Sequence, residues 1–190
     1  QWLLPLPRQR LHLSQLCDLL QVGAVAQRLG LAADALPQLI AWMQGAGIRW
    51  GLHGEHRASL DLAACGEDNS AWFGLRRMLL GYASGAGPAW AGVEPYDEVG
   101  GLSAELAGAL ATVLQVLQDW WQQCQQEATP FAWAERLRAL LQALFAAQTD
   151  AERAILAQLH AALEGWLQDC EQAGFDQPIP LAMAQSAWLA

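Results

Sequence analysis

The sequence contains no lysine: all ten basic residues are arginine. That excludes a phosphate cradle of the G-x-x-x-x-G-K-[ST] type, which needs a lysine. No G-x-S-x-G nucleophile elbow is present either. Charged residues make up only 15% of the chain, yet no uninterrupted apolar run approaches the roughly 18 to 20 residues of a membrane span. Cysteine is sparse. Cys17, Cys65, Cys124 and Cys170 form no C-x-x-C pair and no regular spacing, so neither a zinc site nor a disulfide framework is indicated, and they read as core thiols in a reducing cytoplasm. The chain begins with Gln1, and no charged n-region with a small-residue cleavage site follows. It therefore reads as a piece of a longer, soluble polypeptide.

What is present is material for a core. Of 190 residues, 54% are hydrophobic and ten are tryptophan, which rules out a disordered acidic tail and suits one domain of ordinary size. The net charge of −9 is unevenly placed. Residues 1–95 carry seven arginines (8, 10, 28, 49, 57, 76, 77) against seven acids; residues 96–190 carry three (136, 138, 153) against twelve. The second half alone would repel a phosphate backbone, so any contact with nucleic acid is expected from the first.

The organisation follows from periodicity and punctuation. Pro5 and Pro7 prevent a regular helix at the start, and residues 1–12 read as a connector. Residues 13–190 read as a single helical domain: short helices and loops with the arginines over 13–95, and an acidic long-helix bundle over 96–190. Ser14 is expected to cap a first helix with Leu16, Leu19 and Leu20 inward, and Asp34–Gln44 forms a further helix ended by Gly45 and Gly47. Between Ile48 and Asn69 the period is lost; the glycines and His53 and His56 indicate a loop, with Ala58–Leu62 able to make a short strand. A helix resumes at Ser70, and a second loop opens at Gly85 to Pro88. From about Leu102, the positions Leu106, Leu110, Val113, Leu117, Trp120 and Cys124 step by 4, 3, 4, 3, 4, a seam for antiparallel bundle packing,. Thr129–Pro130 and the Thr149–Glu152 capping box start the next two helices. The expected class is all-α with two irregular loops.

Few groupings carry chemistry. His53-Gly-Glu-His56 lacks the i, i+4 spacing of a helical zinc site, and His12 and His160 have no ligand neighbours. Asp97 and Glu98 read as turn charges. No catalytic, cofactor-binding or metal residue is indicated. The remaining feature is cations interleaved with aromatics: Arg49, Trp50, Arg57, Arg76 and Arg77, near Trp72 and Tyr82. That combination serves stacking and phosphate contact on single strands, and it equally serves docking on a neighbouring helix or a partner subunit.

At these residues a family pattern emerges. The runs AWMQGAGIRWGLHGEHR (41–57), FGLRRMLLGYA (73–83) and PYDEVGGLSAELAGAL (95–110), preceded by LCDLLQVGAVAQRLGL (16–31), resemble the RecC family, the gamma subunit of bacterial exodeoxyribonuclease V. The likeness covers about residues 10–120 and thins beyond Trp121. It implies an internal helical segment corresponding to the 2B subdomain of UvrD-like helicases. It also implies a parent without ATPase motifs that scans for the hotspot Chi and splits duplex DNA for the RecB and RecD motors, with ATP and Mg2+ used by the holoenzyme in double-strand-break repair. No catalytic residue is carried over. An AddB-like or UvrD-like parent is the alternative.

Overall fold

The computed structural model describes residues 2–100 and 104–189. Within them the chain forms nine helices: α1 (Leu13–Leu20), α2 (Gly23–Arg28), α3 (Leu36–Gly45), α4 (Gly54–Ala58), α5 (Ala71–Ser84), α6 (Ala104–Gln123), α7 (Pro130–Leu144), α8 (Asp150–Gln172) and α9 (Leu181–Trp188), with 3-10 turns at Leu6–Arg8 and Ala63–Cys65. No strand longer than an isolated bridge occurs among the described residues. The class is all-α, and no described helix is long and apolar enough to cross a membrane. The expected helix start at Leu102 lies outside the described residues.

Helix ends follow the capping chemistry of the sequence. Ser70 Oγ accepts from the Phe73 N–H at 3.1 Å and Thr129 Oγ1 from Ala132 at 3.3 Å. Thr149 and Glu152 exchange bonds of 3.2 and 3.1 Å in a capping box, each satisfying a donor that a first turn leaves orphaned.

Packing runs through neighbours in sequence: α6 lies against α5 and α7, α7 against α8, and α2 crosses back onto α7. The α6 seam is buried at Leu106, Leu110, Val113, Leu117 and Trp120, and one contiguous core joins it to Leu6, Leu20, Met43 and Leu75 of the first half and Trp133, Leu163 and Trp188 of the second. Three indoles fasten peptide groups to this core. Trp120 Nε1 donates to Leu3 O at 3.0 Å, Trp133 Nε1 to Ile179 O at 2.8 Å and Trp188 Nε1 to Leu159 O at 2.9 Å. A buried indole needs an acceptor, and each of these selects a carbonyl on another part of the chain.

Several expectations are corrected. The first helix is capped from His12, whose N–H donates to Gln15 Oε1 at 2.8 Å, not from Ser14. Residues 54–58 are helix and no strand forms at 58–62, because His53 Nδ1 accepts the His56 N–H at 3.1 Å and nucleates a turn that Gly54 merely opens. The helix expected from Ser70 forms as α5, with Ala71, Gly74, Leu75, Met78 and Gly81 inward and Leu79 and Tyr82 exposed; small residues permit the close approach that larger ones would block. Cys65 is exposed and the other three thiols are half-buried, so none is a fully buried core thiol. Residues 2–12 form no α-helix, and Leu6 and Leu11 lie in the core, with Leu3 O accepting from Trp120 Nε1.

Candidate functional site

The expected cation–aromatic group falls on α4, on α5 and on the turn after α3. Arg57, on the short helix α4, is 1% exposed. Its Nη1 donates to the carbonyls of Cys65, Gly66 and Asp68 at 3.2, 2.9 and 2.7 Å, and its Nη2 to Trp50 O at 2.7 Å. The five donors of a planar guanidinium suit it to satisfy several loop carbonyls at once. Burial lowers its pKa, against the opposing fields of Cys65, Glu67 and Asp68. Arg57 thus directs both terminal nitrogens at interior carbonyls, while its buried Nε has no hydrogen-bond partner among the described residues.

The others are anchored in the same way at shallower depth. Arg49 is exposed, with Nη1 on Gln44 O at 3.0 Å and Ile48 O at 2.9 Å, so it ties the last turn of α3 to the turn that follows it. Arg77 reaches Ala46 O at 2.8 Å and Glu94 O at 3.0 Å, tying α5 to α3 and to the loop after it. Arg76 pairs with Glu67, whose other oxygen accepts from the Gly54 N–H. Trp50 is half-buried beneath Arg57. Trp72 and Arg76 line one shallow cleft with His53, Glu55, Glu67 and Gln118, whereas Tyr82 is 55% exposed on the outer face of α5.

The two histidines are interior. His56 is fully buried; its Nδ1 accepts from Leu52 N–H at 3.2 Å, so the proton sits on Nε2, which faces Leu6 O at 3.3 Å. His53 meets Trp121 edge to face at 4.8 Å. Burial lowers the pKa of both, and each stays neutral at pH 7. Among the described residues no group of three or more His, Cys, Asp or Glu side chains could hold a metal ion.

Sequence reasoning did not single out Glu67, which joins α4 to α5, or Arg8 and Arg10, which are exposed and without a side-chain partner among the described residues. Glu67 lies three residues before the Ser70 cap, a local signal; nothing local marks the two arginines.

Fold and surface together define an all-α domain whose arginines staple irregular loops to helix ends. A family model described as the RecBCD enzyme subunit RecC fourth domain matches residues 1–190, and the chain belongs to the RecC family. It is similar to the RecBCD enzyme subunit RecC of Escherichia coli strain K12, 39% identical over 155 residues, covering 80% of this chain and 14% of that protein. The RecC of Mycolicibacterium smegmatis is 32% identical over 151 residues, 78% of this chain and 14% of that one. That of Mycobacterium tuberculosis H37Rv is 37% identical over 117 residues, 60% and 11% respectively. The chain thus spans at most 14% of the length of these relatives. The family match extends through the second half, where the sequence pattern had thinned, and it replaces the AddB-like or UvrD-like alternative.

Proposed function

We propose that the chain serves as a non-catalytic helical scaffold within a RecC subunit of exodeoxyribonuclease V, contacting partner subunits rather than gripping DNA. In this reading RecB and RecD are the partners, ATP and Mg2+ are handled by those motor subunits, and the assembly processes double-strand breaks for recombinational repair. The body corresponds to a 2B-like subdomain, with α6 to α8 as its antiparallel bundle. One observation carries the choice: Arg49, Arg57 and Arg77 direct their donors at backbone carbonyls, and Arg76 pairs with Glu67. Cations so engaged build a rigid surface instead of a phosphate track.

The test uses the full RecC-family chain carrying this domain, assembled with RecB and RecD. DNA-end affinity is measured against salt for the native protein and for Arg49→Ala with Arg76→Ala. Each lost phosphate contact reduces the slope of log K against log salt by about 0.9. The expected result is an unchanged slope; a reduction of that size overturns the scaffold reading. A second reading, a wall of a DNA channel, is favoured by the exposed Arg8 and Arg10, and the same measurement on their alanine variants decides it.

A further inference from the structure

Helix α8 ends on a Schellman turn. Gly174, at φ 62°, donates to Glu171 O at 3.0 Å, and the Phe175 N–H donates to Cys170 O at 2.8 Å,. The turn places Phe175 across from the first turn of α7, where Phe131 follows Pro130. Between them runs a groove lined by Pro130, Phe131, Leu167, Cys170 and Phe175, with Glu171 and Asp176 on its rim. Phe131 is 65% exposed and Phe175 41%, so two aromatic rings flank one depression in water. Grouped exposed aromatics of this kind mark protein-binding surfaces.

The rim carries uncompensated charge. Among the described residues Glu171 and Asp176 have no cationic partner, and the three arginines of this half are already engaged: Arg136 on the carbonyls of Gln123 and Gln126, Arg153 on Asp150, and Arg138 on Glu135 and on Glu164, which also lines the groove. Asp169 and Glu171 also stand in the last turn of α8, where the helix dipole favours cations and disfavours carboxylates. An incoming positive charge would relieve both penalties. DNA brings the wrong sign, and a second copy would set acidic rim against acidic rim.

We propose that this groove docks a segment of a partner subunit in which an apolar anchor side chain is flanked by arginine or lysine, the anchor between Phe131 and Phe175 and the cations on Glu171 and Asp176. The proposal rests on the partner-contact reading above and adds its place and chemistry. The test is made in the full chain assembled with its RecBCD partner subunits. A photo-crosslinker, Phe131→p-benzoylphenylalanine, should attach to a partner peptide with Arg or Lys beside the attachment point. Glu171→Arg with Asp176→Arg should lower crosslink yield and subunit affinity at least tenfold. Phe175→Ala, at an exposed position, should do so without moving the melting temperature. A crosslink to another part of the same chain, to a second copy or to DNA overturns the proposal, as does none at all. If the crosslink fails while the Arg49 and Arg76 salt slope is unchanged, the groove falls and the scaffold stands; a successful crosslink with a reduced slope sinks the DNA-free scaffold instead.

Discussion

The guanidinium carbon of Arg57 lies 4.2 Å above the centre of the Trp50 ring, and the same guanidinium donates to the Trp50 carbonyl at 2.7 Å. One buried cation thus holds the turn after α3 and the loop of residues 62–70 against α4. Its partners are a π face and neutral carbonyls, without a carboxylate, so its energetics are those of satisfied acceptors. Stranding a buried polar group costs about 1–3 kcal/mol. We predict that Arg57→Ala destabilises the domain by at least ~3 kcal/mol, and that Arg57→Lys recovers only part because an ammonium cannot fork to four carbonyls. Urea midpoints read this directly. An Arg57→Lys variant as stable as the native protein would show that the fork geometry is irrelevant.

Glycine at two helical positions gives opposite predictions. A Cβ at Gly81 would stand 1.8 Å from Tyr96 O, whereas at Gly108 nothing lies within 4 Å. Alanine is favoured over glycine in a helix by about 1 kcal/mol. Gly108→Ala is therefore expected to stabilise by ~0.5–1 kcal/mol. Gly81→Ala must push the 95–97 backbone off α5 and is expected to cost ~1–3 kcal/mol net. Thermal melts of the two variants should move in opposite directions; movement the same way would contradict the packing of that loop on α5.

His56 predicts an acid-sensitive stability. Burial depresses its folded pKa below the ordinary value of 6.5, so above that pH both states are neutral and the contribution is complete. As pH falls below 6.5 the unfolded chain binds a proton that the folded chain refuses, and stability declines until the folded pKa is reached. His53 acts in the same sense. The melting temperature should drop between pH 6.5 and 5, and His56→Gln, though less stable overall, should show a shallower drop. Equal slopes in the two proteins would place the acid sensitivity elsewhere.

The N-terminal segment should behave as part of the core. Leu6 is fully buried, and its carbonyl faces His56 Nε2 while the Leu3 carbonyl takes the Trp120 indole. Leu6→Ala is expected to cost ~2–5 kcal/mol, as for other buried leucines. Limited proteolysis should spare residues 3–12 in the native protein and cut there in the variant. Cleavage in both at equal rates would favour a connector over a core segment.

The long helices were legible in the sequence because their information is local. Leu106 to Trp120 at heptad spacing, Thr129–Pro130, and the Thr149–Glu152 box each act within a turn or two of their own position. So did the exclusion of a lysine-dependent phosphate cradle, which follows from composition alone. The all-α class came from the same local signals, whereas the family resemblance rested on the runs within residues 16–110. What the tertiary structure decided was the destination of the polar groups. Arg57 and Trp50 read in sequence either as a nucleic-acid contact or as a docking pair, and only the fold shows four carbonyls converging on Arg57 from residues 50 to 68. His53 as a cap, Leu6 as core and the α7–α8 groove between Phe131 and Phe175 depend likewise on segments brought together by packing. A cation's role is set by which acceptors surround it, and those are assembled by contacts that no local pattern of residues encodes.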